Sequence, residues 1–214
     1  RNGKELSVSE KVKNNQYVRK YKGGAVTAHV LGYYDPQYGI SGLENLYDRY
    51  LSSNISASFL AWVGNGFKEV DKKGDDVYTT LDYSLQKTAY DAMGSNRGSV
   101  VVLKVDTGEI LAMVSKPSYD PNNLSKDWKN LNSNKNLPLL NRSVSGLYPP
   151  GSTFKVVTGI SALENIEGIG EETFNDNGKM VIGDDYTLSN DKGKAYGKIN
   201  FEQAMIKSSN VFFG

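Results

Sequence analysis

Two runs rich in strand-forming residues, Gly98 to Val105 and Glu109 to Ser115, are joined by Asp106-Thr107-Gly108, and this hairpin constrains the fold more than any other feature. The glycine supplies the positive φ that tight antiparallel turns require. Val100 to Leu103 put apolar groups on both faces, so the sheet is expected to be covered on both sides by helices. Helices must supply that cover, and the chain carries three clear helical patterns. Asp82 can cap a helix carrying Leu85, Ala89, Ala92 and Met93 and ended by Gly94. A second starts at Ser152 with Val156, Ile160 and Leu163 on one face. A third starts at Phe201 behind the cap Asn200, with Ala204, Met205 and Ser208. Together they predict an α+β fold.

The first 40 or so residues read as small strands and turns, with alternation over Ala25 to Leu31 and breaks at Gly23-Gly24, Asp35-Pro36 and Gly39. Ser41-Gly42-Leu43-Glu44 has the form of a capping box, in which the serine and glutamate side chains satisfy each other's free backbone N–H groups. It predicts a helix over residues 42–52. Gly64 to Asp76 is polar and glycine-dotted, and Val77 to Leu81 reads as a short strand. Lys116 to Asn141, rich in Pro, Ser and Asn, reads as a long irregular connection, and the Gly- and Asp-rich region before Asn200 as extended. A boundary at Ser95-Asn96 divides the chain into domains 1–95 and 96–214.

Composition excludes more than it assigns. With Cys 0 there is no disulfide framework, thiolate metal site or cysteine nucleophile, and with His 1 a Ser-His-Asp triad would have to use His29. His29 has no second histidine or carboxylate at ligand spacing, so it reads as a packed or surface residue, and no metal or cofactor is expected. Trp128 and the tyrosines read as packing. Lys+Arg 25 against Asp+Glu 24 leaves a formal charge of +1, which gives no polyelectrolyte character pointing to nucleic acid. Apolar stretches such as Phe59 to Val63 and Val100 to Leu103 are far short of the roughly 20 residues that span a bilayer.

Without histidine, a serine can still be made nucleophilic by a lysine whose amine is held neutral by partial desolvation. Ser-x-x-Lys is the sequence form, because positions i and i+3 share a helix face. It occurs as Ser84 with Lys87, Ser152 with Lys155 and Ser189 with Lys192, where about one chance match is expected. Ser84 and Lys87 lie on the polar side of an amphipathic helix, and Ser189 and Lys192 in a polar loop. Ser152 follows Tyr148-Pro149-Pro150-Gly151, which stiffens the approach and then allows a sharp turn. On spacing alone, Ser152 as a plain helix N-cap beside a surface Lys155 remains the alternative.

Asn141-Arg142 followed by Leu147-Tyr148-Pro149-Pro150-Gly151-Ser152-Thr153-Phe154-Lys155 closely resembles the active-site segment of penicillin-binding proteins. Val105 to Met113, Pro117 to Asn122 and Ser208-Ser209-Asn210 are similar to that family's first hairpin, following loop and second motif. Ala28 to Tyr34, Gly42-Leu43-Glu44 and Tyr47-Asp48 are similar to the linker region of class B, transpeptidase-only members, and the nearest resemblance is to the penicillin-binding protein A type. The matches run in order over residues 20–214. Ser52-Ser53-Asn54 repeats the second motif's pattern, and order and distance from Ser152 favour the later copy.

The resemblance implies a small strand-and-helix linker, or pedestal, domain over 1–95, followed by the N-terminal part of a serine transpeptidase/β-lactamase-like domain, an antiparallel sheet with helices. It implies acyl transfer from the D-Ala-D-Ala end of a peptidoglycan stem peptide, with β-lactams trapped as the same ester. Ser152 would attack the penultimate carbonyl, Lys155 would be its general base, and Ser208 would relay a proton to the leaving amine. Asn210 would bind the substrate amide and orient Lys155, and the Ser152 N–H would be one oxyanion donor. The protein would sit on the outer side of a bacterial cell membrane, held by an N-terminal helix absent here. No Lys-Thr-Gly or Lys-Ser-Gly occurs in the chain, so the family's third motif is absent. The missing C-terminal part of its own domain is therefore an expected partner, and these residues alone are expected to be inactive. Alternatives are a serine β-lactamase or β-lactam sensor, which the linker domain disfavours, and a catalytically silent scaffold for a polytopic membrane glycan polymerase.

Overall fold

The computed structural model describes residues 1–12, 16–52, 63–64 and 74–214, which pack as two compact units, Arg1–Leu147 and Tyr148–Gly214. The strands described in both pair antiparallel, two by two.

In the first unit, β1 (Ser7–Lys11) pairs with β2 (Tyr17–Tyr21), and a short helix α1 (Ala28–Leu31) follows a 3-10 turn over Gly24–Val26. Residues 25–31 were expected to be strand. Gly24 at φ +49 instead winds the chain, and Ala28, His29 and Leu31 are buried on the resulting turns. The His29 Nε2–H donates to the Pro138 carbonyl at 2.8 Å, and burial pushes the imidazole pKa down to about 4, against the raising effect of that hydrogen bond. It is a packed residue. Tyr38 stacks on Trp128 with ring centroids 4.4 Å apart, and Trp128 packs against the core formed by Ala28, Tyr119 and Leu124.

After the two-residue strands β3 (Tyr34–Asp35) and β4 (Gly39–Ile40), the expected 42–52 helix is broken into α2 (Gly42–Leu46) and α3 (Asp48–Leu51) at Tyr47. The capping box does not form. Glu44 is buried and taken by Arg19, whose Nε donates to it at 2.8 Å, while the Ser41 hydroxyl accepts from the Tyr33 N–H. A non-local ion pair thus outcompetes the local cap. Residues 53–62, holding Ser53-Asn54 and most of the apolar run 59–63, lie outside the described residues, as does much of the polar stretch 64–76.

The expected strand at Val77 to Leu81 is absent. This stretch makes only isolated contacts with the next hairpin, Thr80 Oγ1 to the Ile110 carbonyl and Asp82 N–H to the Leu111 carbonyl. Asp82 then caps α4 (Tyr83–Ala92), accepting from the Ser84 and Leu85 N–H groups, and Gly94 follows at φ +52. Ser84 donates to Asp82 and Lys87 pairs with Asp91, so this Ser-x-x-Lys pair faces its own helix. The hairpin forms as expected from β5 (Gly98–Leu103) and β6 (Ile110–Lys116), with Gly108 at φ +71. Its two sides are not equally covered. Helix α4 packs on β6, where Ala112 and Val114 are buried, while Val101 and Leu103 of the outer strand β5 stay 43% and 55% exposed. The segment 116–141 is less irregular than expected, because Leu124, Trp128 and Leu131 share one face of a helix, α5 (Leu124–Ser133). A one-turn helix, α6 (Arg142–Ser145), closes the unit against β5 and β6.

The second unit opens with a 3-10 turn, Gly151–Phe154, continuous with α7 (Lys155–Asn165). Two hairpin-like pairs follow. β7 (Thr173–Asp176) pairs with β10 (Gly197–Asn200), and β8 (Lys179–Ile182) with β9 (Tyr186–Ser189). The capping box Asn200-Gln203 starts α8 (Phe201–Lys207), and Ser209 caps α9 (Asn210–Phe213). Within this unit α7 packs through the buried Gly159, where an added Cβ would come within 2.8 Å of Met205 Cε and 3.0 Å of Phe201 Cζ. The face carrying Val156, Ile160 and Leu163 is the exposed one.

Candidate active site

Pro150 and Gly151 set the approach to Ser152. Pro150 is near-helical, Gly151 takes φ +55, and the chain tightens into the 3-10 turn that leads into α7. Ser152 was expected to open the helix itself. The α-helix starts at Lys155, three residues on, because Gly151 and the tight turn precede it. The Ser152 hydroxyl makes no capping hydrogen bond to that turn or to α7, so the plain N-cap alternative does not describe it. Its side chain is exposed.

Lys155 points back along the helix toward that hydroxyl, with Nζ 3.5 Å from Ser152 Oγ. The amine is also held from the other side. It lies 2.6 Å from the Ser208 carbonyl oxygen, 3.1 Å from Ser208 Oγ and 2.6 Å from Asn210 Oδ1. Three of the four residues singled out from the sequence, Ser152, Ser208 and Asn210, therefore converge on the nitrogen of the fourth, Lys155. Partial burial lowers the Lys155 pKa below its ordinary value, because desolvation disfavours the ammonium.

The donor count gives this arrangement its chemical meaning. An ammonium has three N–H groups, and two are taken by the short contacts to the Ser208 carbonyl and Asn210 Oδ1. When the third proton leaves, the lone pair is left on the side of the two hydroxyls, Ser152 and Ser208. The neutral amine can then accept a proton from serine without surrendering either anchoring bond.

Ser208 reaches this position as the residue that ends α8, in the left-handed conformation at φ 52 and ψ 44. A non-glycine residue there is disfavoured, and the conformation turns both its carbonyl and its hydroxyl onto Lys155. The expectation that Ser208 continues the helix is corrected accordingly. Asn210 opens α9, its Nδ2 donating to the Ser189 carbonyl at 2.8 Å. Ser189 thus enters the site through its backbone, while Lys192, its Ser-x-x-Lys partner, lies in a separate loop turn.

Sequence reasoning missed what lies beneath. Asp176, Asn190 and Ser209 are buried together, with Asp176 accepting from Ser209 Oγ at 2.6 Å and from Asn190 Nδ2 at 2.8 and 2.9 Å. Ser209 lies inside the Ser208-Ser209-Asn210 motif and Asn190 inside the Ser189 to Lys192 match, whereas Asp176 belongs to no motif. Among the described residues, no group of three or more His, Cys, Asp or Glu side chains is placed to hold a metal ion.

Comparison with known proteins places the chain in a family. Residues 98–214 match the penicillin binding protein transpeptidase domain, and residues 1–77 match the penicillin binding protein A dimerisation domain. The chain is 41% identical over 162 residues to the peptidoglycan D,D-transpeptidase PbpA of Mycolicibacterium smegmatis, covering 70% of this chain and 33% of that protein. It is 30% identical over 231 residues to the peptidoglycan D,D-transpeptidase MrdA of Acinetobacter baumannii, covering 92% of this chain and 34% of that one. The chain thus spans about a third of the length of these curated relatives. Penicillin-binding protein A from M. tuberculosis, solved as a penicillin G acyl-enzyme complex, superposes with a TM-score of 0.86 at 33% identity, over 97% of this chain and 52% of that one. With more than half of its residues inside one family description and nearly all of them alignable to a solved member, the chain belongs to the class B penicillin-binding proteins, of the penicillin-binding protein A type.

Proposed function

We propose that the whole protein is a peptidoglycan D,D-transpeptidase that crosslinks stem peptides through an acyl-enzyme on Ser152. The observation that carries this reading is the placement of Lys155 Nζ between Ser152 Oγ and the pair Ser208 and Asn210. Neutral Lys155 takes the Ser152 proton as Oγ attacks the penultimate carbonyl of a D-Ala-D-Ala terminus, and the Ser152 N–H faces the developing oxyanion. Ser208 passes a proton to the departing D-alanine amine and takes one in its place from the Lys155 ammonium, 3.1 Å away. Asn210 holds the substrate's peptide amide while its oxygen steadies Lys155. An acceptor amine from a neighbouring stem peptide then resolves the ester, and a β-lactam opens on Ser152 to a long-lived ester in its place.

The division at residues 95/96 belongs to the same reading, with 1–95 as a pedestal and 96–214 contributing to the catalytic domain. So does placement at the outer face of the bacterial membrane, beside a glycan polymerase. Among the described residues no helix is long and apolar enough to cross a membrane.

The test is to react the full-length protein with penicillin and to locate the adduct by peptide mass spectrometry. Acylation at Ser152, lost in Ser152→Ala, with slow release of the drug and D-alanine release from a D-Ala-D-Ala peptide, is expected. Rapid drug turnover would favour a β-lactamase, and an adduct that survives Ser152→Ala would overturn the assignment.

A further inference from the structure

Asp176 ends β7, fully buried, and every group within hydrogen-bonding distance of its carboxylate is a donor. Gly178 N–H donates to Oδ1 at 2.7 Å, Asn190 Nδ2 spans both oxygens, and the Ser209 hydroxyl donates to Oδ2 at 2.6 Å. No lysine or arginine pairs with it among the described residues. A buried carboxylate without a cation is expensive unless its acceptors are filled, and here they are. Burial acts to raise its pKa, but these donors outweigh that and hold it below the ordinary carboxylate value. Buried uncompensated charge of this kind calls for an explanation beyond packing.

The network leads outward to the site through two routes. Asn190, held by the carboxylate through its nitrogen, uses its oxygen to accept from the Asn210 N–H at 2.7 Å and the Val211 N–H at 3.2 Å. Ser209, held through its hydroxyl proton, uses its oxygen to accept from the Phe212 N–H at 3.0 Å. Those N–H groups belong to the first turn of α9, where the helix's own carbonyls supply no partners. The residues on either side of Ser209 are Ser208 and Asn210, the two that hold Lys155 Nζ. One carboxylate therefore fixes the backbone from which both partners of the lysine project.

Resting on the transpeptidase reading above, we infer that Asp176 is a positioning residue for acylation, acting through Asn190 and Ser209 to hold Ser208 and Asn210 against Lys155. It touches neither substrate nor reacting atoms. Its effect is on the placement of the general base, and a misplacement on the order of 1 Å is worth roughly 100-fold in rate.

The experiment uses the full-length protein and a chromogenic penicillin, separating non-covalent binding from the acylation step and normalising to titrated sites. Asp176→Asn and Ser209→Ala are expected to slow acylation roughly 10- to 100-fold while binding changes by less than about threefold. Ile199→Val, a buried change on the paired strand β10, serves as the comparator for simple destabilisation. If Asp176→Asn fails to fold, Ser209→Ala carries the test. Unchanged acylation per titrated site in both folded variants overturns the inference, as does an equal loss in Ile199→Val. Wild-type protein that resists acylation at Ser152 overturns the transpeptidase reading and this inference with it, whereas normal wild-type acylation with unaffected variants overturns only the role of Asp176.

Discussion

Asn210 presents its carboxamide oxygen to Lys155, with Oδ1 2.6 Å from Nζ, while its nitrogen donates to the Ser189 carbonyl. A carbonyl can only accept, so the backbone of Ser189 dictates which end of the amide faces the amine. Asn210→Asp keeps the shape but places a carboxylate there. Partial burial lowers the Lys155 pKa in the native protein, and an adjacent negative charge acts the opposite way by favouring the ammonium. In the proposed mechanism the neutral amine is the reactive form, so acylation is expected to rise with pH along a limb set by Lys155. In Asn210→Asp that limb is expected to move to higher pH by roughly 1 to 3. Acylation rates measured across pH check this, and an unmoved limb contradicts it.

Lys155→Arg keeps a cation in the site but removes the proposed base. A guanidinium stays protonated at any pH a protein survives, so it can donate to Ser208 and Asn210 but cannot take the Ser152 proton. Acylation is expected to fall by roughly 100- to 10,000-fold, with no recovery at high pH. Recovery of rate as pH rises would show that another group serves as base.

The parts of this molecule legible in its sequence are those decided within a few residues. Gly108 makes the hairpin, Asn200 caps its helix, and Ser152 and Lys155 meet because they lie three positions apart. The parts that were not legible are decided by partners far away in the chain. Ser41 and Glu44 have a capping box's sequence, yet Arg19, 25 residues before Glu44, takes the glutamate. Helix α5 hides in a polar segment because its short apolar face is matched by Tyr38 and α1. Asp176, Asn190 and Ser209 come from two strand ends and a helix cap, and no spacing links them.

Ser208 separates stability from activity. At φ 52 its Cβ is unfavourable, so Ser208→Gly is expected to be more stable than Ser208→Ala by about 1 kcal/mol, because only glycine escapes the left-handed penalty. Both variants lose the hydroxyl that lies 3.1 Å from Lys155 Nζ, and both should release the leaving amine slowly. Denaturant unfolding ranks the first effect, and D-alanine release from a D-Ala-D-Ala peptide measures the second. A glycine variant less stable than the alanine variant would mean that Ser208 is not in this conformation.

Gln86 tests how the first unit protects its open strand. Strand β6 pairs with β5 along one edge only, and a residue of an antiparallel strand points its N–H and C=O to the same side. Met113 points both away from β5, where Gln86, buried on α4, accepts from the N–H at 2.7 Å and donates to the C=O at 2.7 Å. The same side chain nitrogen donates to the Val26 carbonyl at 2.8 Å. One carboxamide thus stands in for a neighbouring strand and ties α4 to both. Gln86→Leu retains apolar bulk but leaves three backbone groups without their partner, an expected loss of roughly 3 kcal/mol. The urea midpoint should fall while the slope stays constant, and acylation per titrated site should not change. A variant as stable as wild type would mean that water or another side chain satisfies that edge.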